Sequence, residues 1–93
     1  PHTLRVEIEC ERRSQVEEAL AAGADSILLD NMTLDEMRDA RRMAGDRAIL
    51  EASGGVTFES VRAVAETGVD LISIGALTHS VRAVDLSMRI EAY

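Results

Sequence analysis

The sequence predicts an α/β fold: a parallel βαβαβαβ run, the last four strands of a TIM-like (β/α) barrel, forming a half-barrel. Three observations lead there. Short apolar segments alternate with helix-length amphipathic ones, and the alternation recurs about every 22 residues. Each apolar segment also ends on a polar or glycine residue, at Glu9, Asp30, Ser53-Gly54-Gly55 and Gly75. Strands joined through helices must run parallel. Their C-terminal ends then lie on one side, where ligands bind in barrels and in open sheets alike. The four ends are therefore expected to form one site rim.

Leu4 to Glu9 reads as the first strand because Leu4, Val6 and Ile8 alternate with Arg5, Glu7 and Glu9. The first helix is expected to start at Ser14, with Glu17 completing a capping box, and to end at Gly23 behind an apolar stripe of Val16, Ala19 and Leu20. Ser26 to Leu29 is the second strand, and its apolar Ile27-Leu28-Leu29 run suits a strand buried on both faces. The second helix is capped by Thr33 with Glu36, carries Leu34, Met37 and Ala40, and stops at Gly45. Ala48 to Glu51 is the third strand. A third helix opens at Thr57, presents Val61, Val64 and Ala65, and stops at Gly68. Leu71 to Ile74 is the fourth strand, and Val81, Val84, Leu86 and Ile90 mark a short closing helix. Gly23-Ala24-Asp25 and Gly68-Val69-Asp70 are near copies, each leading into a strand. No linker interrupts residues 1–93, so they read as one piece of one barrel domain.

Four strands cannot close an eight-stranded barrel, which takes about 250 residues. Open edges expose unpaired backbone, so further sequence, a partner chain or self-association is expected to cover them. The net charge of −7 and the restriction of all basic residues to ten arginines speak against nucleic acid as a partner. Without lysine there is no Schiff-base chemistry and no P-loop lysine. No run is long and apolar enough for a membrane span, so a soluble, cytoplasmic protein is the expectation. The single Cys10 reads as a packing residue rather than a nucleophile, with no histidine near it in sequence.

Four groups can carry chemistry. Glu9, at the end of a strand with one charged face, points into a barrel interior or, alternatively, to solvent from an edge strand. Asp30 leaves an apolar strand where it can accept from sugar hydroxyls, bind Mg²⁺ through water or steady a developing cation; a turn or capping role with Asn31 is the alternative. Ser53-Gly54-Gly55 precedes a helix and reads as an anion cradle or as a sharp turn. Gly75 strengthens the cradle, because barrels often build phosphate sites from their last two loops. His79 follows it and either donates to a phosphate, acts as acid or base, or bonds its neighbours. No histidine and cysteine spacing suits a transition metal.

Val6-Glu7-Ile8-Glu9, Gly23-Ala24-Asp25, Leu28-Leu29-Asp30-Asn31-Met32, Leu50-Glu51-Ala52-Ser53-Gly54-Gly55-Val56, Glu66-Thr67-Gly68-Val69-Asp70 and Ile74-Gly75-Ala76-Leu77-Thr78-His79-Ser80-Val81-Arg82 stand in one order and spacing. In these the chain resembles the C-terminal part of the quinolinate phosphoribosyltransferases, the carboxylating nicotinate-nucleotide pyrophosphorylases of NAD biosynthesis. The resemblance implies phosphoribosyl transfer from phosphoribosyl pyrophosphate to quinolinate, with Mg²⁺, loss of CO₂, release of pyrophosphate and formation of nicotinate mononucleotide. It implies that Glu9 and Asp30 contact the ribose and that Ser53, Gly54, Gly55 and Gly75 hold the 5′-phosphate. It also implies a homodimer or a multiple of it. The basic cluster that takes the dicarboxylate base in that family has no counterpart here, so residues 1–93 alone are expected to be inactive.

Three rivals remain. A related pyrophosphorylase would act on another base. An inactive half-barrel scaffold would self-associate through its open strands. A response-regulator receiver resembles the chain at Ile27-Leu28-Leu29-Asp30, but it needs a lysine that this chain lacks.

Overall fold

The computed structural model describes residues 5–74 and 81–86. Its strands are β1 (Glu7–Cys10), β2 (Ser26–Asp30), β3 (Ile49–Ser53), β4 (Leu71–Ile72) and β5 (Val81–Arg82), and its helices are α1 (Arg13–Ala21), α2 (Leu34–Ala44) and α3 (Val61–Ala65). The sheet order is β1-β2-β3-β4-β5. The first three pairings are parallel and the last is antiparallel. The α/β class and the parallel βαβαβαβ run thus hold.

Strand alternation sorts the sheet into two faces. Cys10, Ile27, Leu29, Leu50, Ala52 and Ile72 are buried on one, under Val16, Ala19, Met37, Ala40, Val61 and Val64 of the helices. α1 packs on α2 and α2 on α3, so the three helices share that face. Each fully buried aliphatic contributes about 1.5–3 kcal/mol, which makes this layer the main source of stability. The opposite face carries Glu7, Glu9, Ser26, Leu28, Asp30, Ile49, Glu51, Ser53 and Leu71, none of them buried. Leu28 is therefore half-buried, and β2 is not covered on both faces as its apolar run suggested.

The strand starts are fastened by a repeated device. In the first near-copy turn the Asp25 carboxylate accepts from Val6 N–H at 2.9 Å, while Asp25 N–H donates to the Val6 carbonyl at 2.9 Å. In the second, Asp70 accepts from Leu50 N–H at 2.8 Å and Asp70 N–H donates back to the Leu50 carbonyl at 2.8 Å. Arg41 reinforces the second latch, donating to Asp70 at 2.6 Å, to the Gly68 carbonyl at 2.8 Å and to the Gly45 carbonyl at 2.6 Å. Gly68, with φ +102°, makes room for it: a Cβ there would stand 3.0 Å from Arg41 Cγ.

Several boundaries differ from the sequence reading. β1 is displaced toward Cys10; Val6, a candidate for its apolar face, precedes the strand and is exposed. β2 and β3 extend through Asp30 and Ser53, so these two are the last residues of strands and not loop residues. The capping box of α2 is present: Thr33 Oγ1 accepts from Glu36 N–H at 3.1 Å and Glu36 accepts from Thr33 N–H at 2.9 Å. That of α1 is not. Its N-cap is Arg12 with no side-chain cap, and Gln15 accepts instead from Glu11 N–H at 2.6 Å, so Ser14 lies inside the first turn. α3 begins at Val61, not Thr57, because Thr57 and Ser60 bond one another in a preceding turn through their hydroxyls and N–H groups. The tail expected as a closing helix first pairs antiparallel with β4, and residues 83–86 then turn helical. The Ile90 end of that expectation lies outside the described residues.

Candidate active site

The strand finishes place the chemistry on the open face. Glu9 ends the exposed side of β1, and its register partner is Leu28, two residues before Asp30. Asp30 pairs with Ser53 across β2 and β3. Glu9, Glu11 and Asp30 each offer a carboxylate oxygen, and the three oxygens lie within 4.8 Å of one another. Glu9 and Glu11 are exposed and Asp30 is half-buried. The expected pair of acids is thus brought together, with a third beside it. Glu11 was missed because it lies past the strand, where alternation makes no forecast.

The glycine loop meets this cluster directly. Ser53 Oγ donates to Asp30 Oδ1 at 3.4 Å, and Asn31 N–H donates to the Ser53 carbonyl at 3.0 Å. Gly54 (φ +80°) and Gly55 (φ +69°) are consecutive left-handed residues. A Cβ on Gly54 would stand 2.6 Å from Asp30 Oδ1 and 2.7 Å from Asn31 Oδ1, closer than any carbon can approach. Glycine is required at position 54 by conformation and by space. The Gly54 and Gly55 amides make no hydrogen bond among the described residues, and both residues are exposed. The loop's own amides, rather than a helix N-terminus, are what it offers an anion, since α3 starts well beyond it.

Glu51 sits on the same face, in the same register row as Glu9 and Leu28, and accepts from Ser73 Oγ at 2.8 Å. The sequence reading placed it in a strand without assigning it a role. Period-two alternation from Ser53 was the signal that could have found it. Gly75 and His79 lie outside the described residues. Cys10 is fully buried, and its thiol is pushed above its ordinary range by burial, then by Glu18 and Glu9. A thiol held protonated this way is packing, not a nucleophile.

The family profile described as quinolinate phosphoribosyl transferase, C-terminal domain, matches residues 1–89. A probable nicotinate-nucleotide pyrophosphorylase (carboxylating) of Bacillus subtilis is 45% identical over 89 residues, covering 96% of this chain and 31% of that protein. Its counterpart in Methanothermobacter thermautotrophicus is 42% identical over 94 residues, covering 96% of this chain and 34% of that protein. The crystal structure of nicotinate-nucleotide pyrophosphorylase from Ehrlichia chaffeensis superposes with a TM-score of 0.73 at 48% identity, over 78% of this chain and 27% of that one. The chain thus spans about a third of the length of the curated relatives it matches. With the fold and these likenesses agreeing, the chain belongs to the quinolinate phosphoribosyl transferase family, within its C-terminal domain.

Proposed function

We propose that this chain supplies the ribose and 5′-phosphate half of a site that transfers a phosphoribosyl group from phosphoribosyl pyrophosphate to quinolinate, giving nicotinate mononucleotide, CO₂ and pyrophosphate. The observation that carries it is the contact of Asp30 with Gly54: a carboxylate is set against a loop whose two amides are free among the described residues. Ribose hydroxyls are donors that suit Asp30 and Glu9, and a phosphate suits the Gly54 and Gly55 amides. The quinolinate nitrogen bonds to C1 of the ribose as the C1–oxygen bond to pyrophosphate breaks with its electron pair. Positive charge develops at the sugar in that step, and two carboxylates beside the ribose stabilise it. The C2–carboxylate bond of the resulting pyridinium then breaks to release CO₂, its electron pair stays on C2, and a proton from solvent takes the carboxylate's place. Gly75 and His79 belong to the phosphate end in this reading.

The chemistry of Glu9, Glu11 and Asp30 fits Mg²⁺, which prefers hard oxygen ligands and reaches proteins largely through its own waters. Bound with phosphoribosyl pyrophosphate, Mg²⁺ would neutralise pyrophosphate charge. Quinolinate is a dianion, and the open face shows acids and no arginine on β1 to β4 among the described residues. We place its cationic site on the remaining length of the relatives, or on a second copy in a homodimer. Among the described residues no helix is long and apolar enough to cross a membrane, in keeping with a cytoplasmic enzyme. The test is a ¹⁵N NMR titration with phosphoribosyl pyrophosphate and Mg²⁺. Saturable shifts at Gly54 and Gly55 that weaken in Asp30→Ala are expected; a flat titration of folded protein would sink the reading.

A further inference from the structure

We propose that Asn31 is a positioning residue that sets the span between the ribose carboxylate and the phosphate loop. The inference rests on the function proposed above. Neighbouring residues of an extended strand send their side chains to opposite faces, so Asp30 and residue 31 should diverge. They do not: both side-chain oxygens come within 2.7 Å of the point where a Gly54 Cβ would be. The cause is the backbone of Asn31, whose φ of +55° makes it the one non-glycine left-handed residue among the described residues. Asparagine tolerates that region better than most side chains, and it keeps a bulky amide there where glycine would leave space.

Three contacts hold the arrangement. Asn31 N–H donates to the Ser53 carbonyl at 3.0 Å, which pins the left-handed residue to the end of β3. Ser53 Oγ donates to Asp30 Oδ1 at 3.4 Å. The Asn31 amide packs over Gly54, with its Oδ1 also 3.7 Å from where a Gly55 Cβ would be. The two loops therefore move as one piece, and the distance from the Asp30 carboxylate to the Gly54 and Gly55 amides becomes a fixed property of the site. A ligand that spans both, a ribose 5-phosphate group, gains from that preorganisation; one that touches only the loop does not.

The test compares ribose 5-phosphate with inorganic phosphate by calorimetric titration of the full chain, unmodified and as Asn31→Gly and Asn31→Ala. Glycine keeps the left-handed backbone and removes only the packing side chain, so this variant folds. Asn31→Gly is expected to bind ribose 5-phosphate about tenfold more weakly and inorganic phosphate within about twofold of the unmodified chain. Asn31→Ala is expected to lose more of the sugar phosphate, and should it fail to fold, the glycine variant decides. Unchanged ribose 5-phosphate affinity in Asn31→Gly overturns the inference, and so does equal weakening of both ligands, which a merely structural role would give. Failure of the unmodified chain to bind ribose 5-phosphate overturns the proposed function and this inference with it.

Discussion

At the strand-start end of the sheet, Asp25 and Asp70 each accept a backbone N–H, from Val6 at 2.9 Å and from Leu50 at 2.8 Å. At the strand-finish end, no hydrogen bond or ion pair from another described residue reaches the carboxylates of Glu9 and Glu11, and the Asp30 carboxylate receives one long bond from Ser53 at 3.4 Å. Carboxylates stand in two different settings at the two ends, and their donors tell the settings apart. A carboxylate facing backbone amides holds the chain together. Three carboxylates facing one another repel, and folding gains nothing from gathering them. That asymmetry matches the division of α/β barrels into a stabilising and a reactive end.

The comparison breaks most sharply at Gly54. Gly54→Ala puts a Cβ onto Asp30 and Asn31 in a left-handed backbone, and is expected to lower ribose 5-phosphate affinity about a hundredfold, read by calorimetry. Affinity within about threefold of the unmodified chain would show that the finish end is not the site. Second comes Asp70→Ala, expected to cost about 2 kcal/mol in urea unfolding, because Leu50 N–H and Arg41 both lose their acceptor. Ligand affinity should not change in that variant. Asp25→Ala, whose latch has no arginine among the described residues, should cost about 1 kcal/mol.

A smaller effect of opposite sign sharpens the contrast. Glu9→Gln relieves repulsion within the acid cluster and is expected to raise stability by about 0.5 kcal/mol while weakening ribose 5-phosphate binding. A loss of stability instead would place Glu9 with the latching acids. The smallest effect belongs to Cys10. Its thiol is raised in the folded state, so the folded protein resists ionisation there. This term leaves stability untouched below the ordinary thiol range and lowers it as pH rises through and above that range. Cys10→Ala should remove this alkaline loss, and native Cys10 should react with a thiol reagent only after unfolding.

What could be read from the chain depended on how local each determinant is. Thr33 and Glu36 form a capping box within four residues, and the apolar side chains of β2 and β3 mark strands without outside help, so those elements were legible. The start of α1 was not, since Ser14 with Glu17 and Gln15 at the neighbouring register satisfy similar spacings, and only the fold selects Gln15. Thr57 looked like a helix start because its hydroxyl does accept Ser60 N–H, at 3.3 Å, but in a turn ahead of the helix. β5 depends on a pairing with β4 that no local pattern announces. In the site, Glu9, Asp30 and the glycines were visible as strand ends. Glu11 and the role of Asn31 were not, because each arises where the chain leaves strand geometry.

The close approach of Asp30 and Asn31 to Gly54 also constrains the order in which this protein can change. Gly54 cannot acquire a side chain while both acceptors occupy the space, and shortening either acceptor gives up its proposed function first. The three positions therefore form an epistatic unit: Asp30→Gly with Gly54→Ala should cost less in folding than the two single changes added together. Drift at one position is barred until another has already moved, and the intermediate on that path is a folded chain with a disabled site.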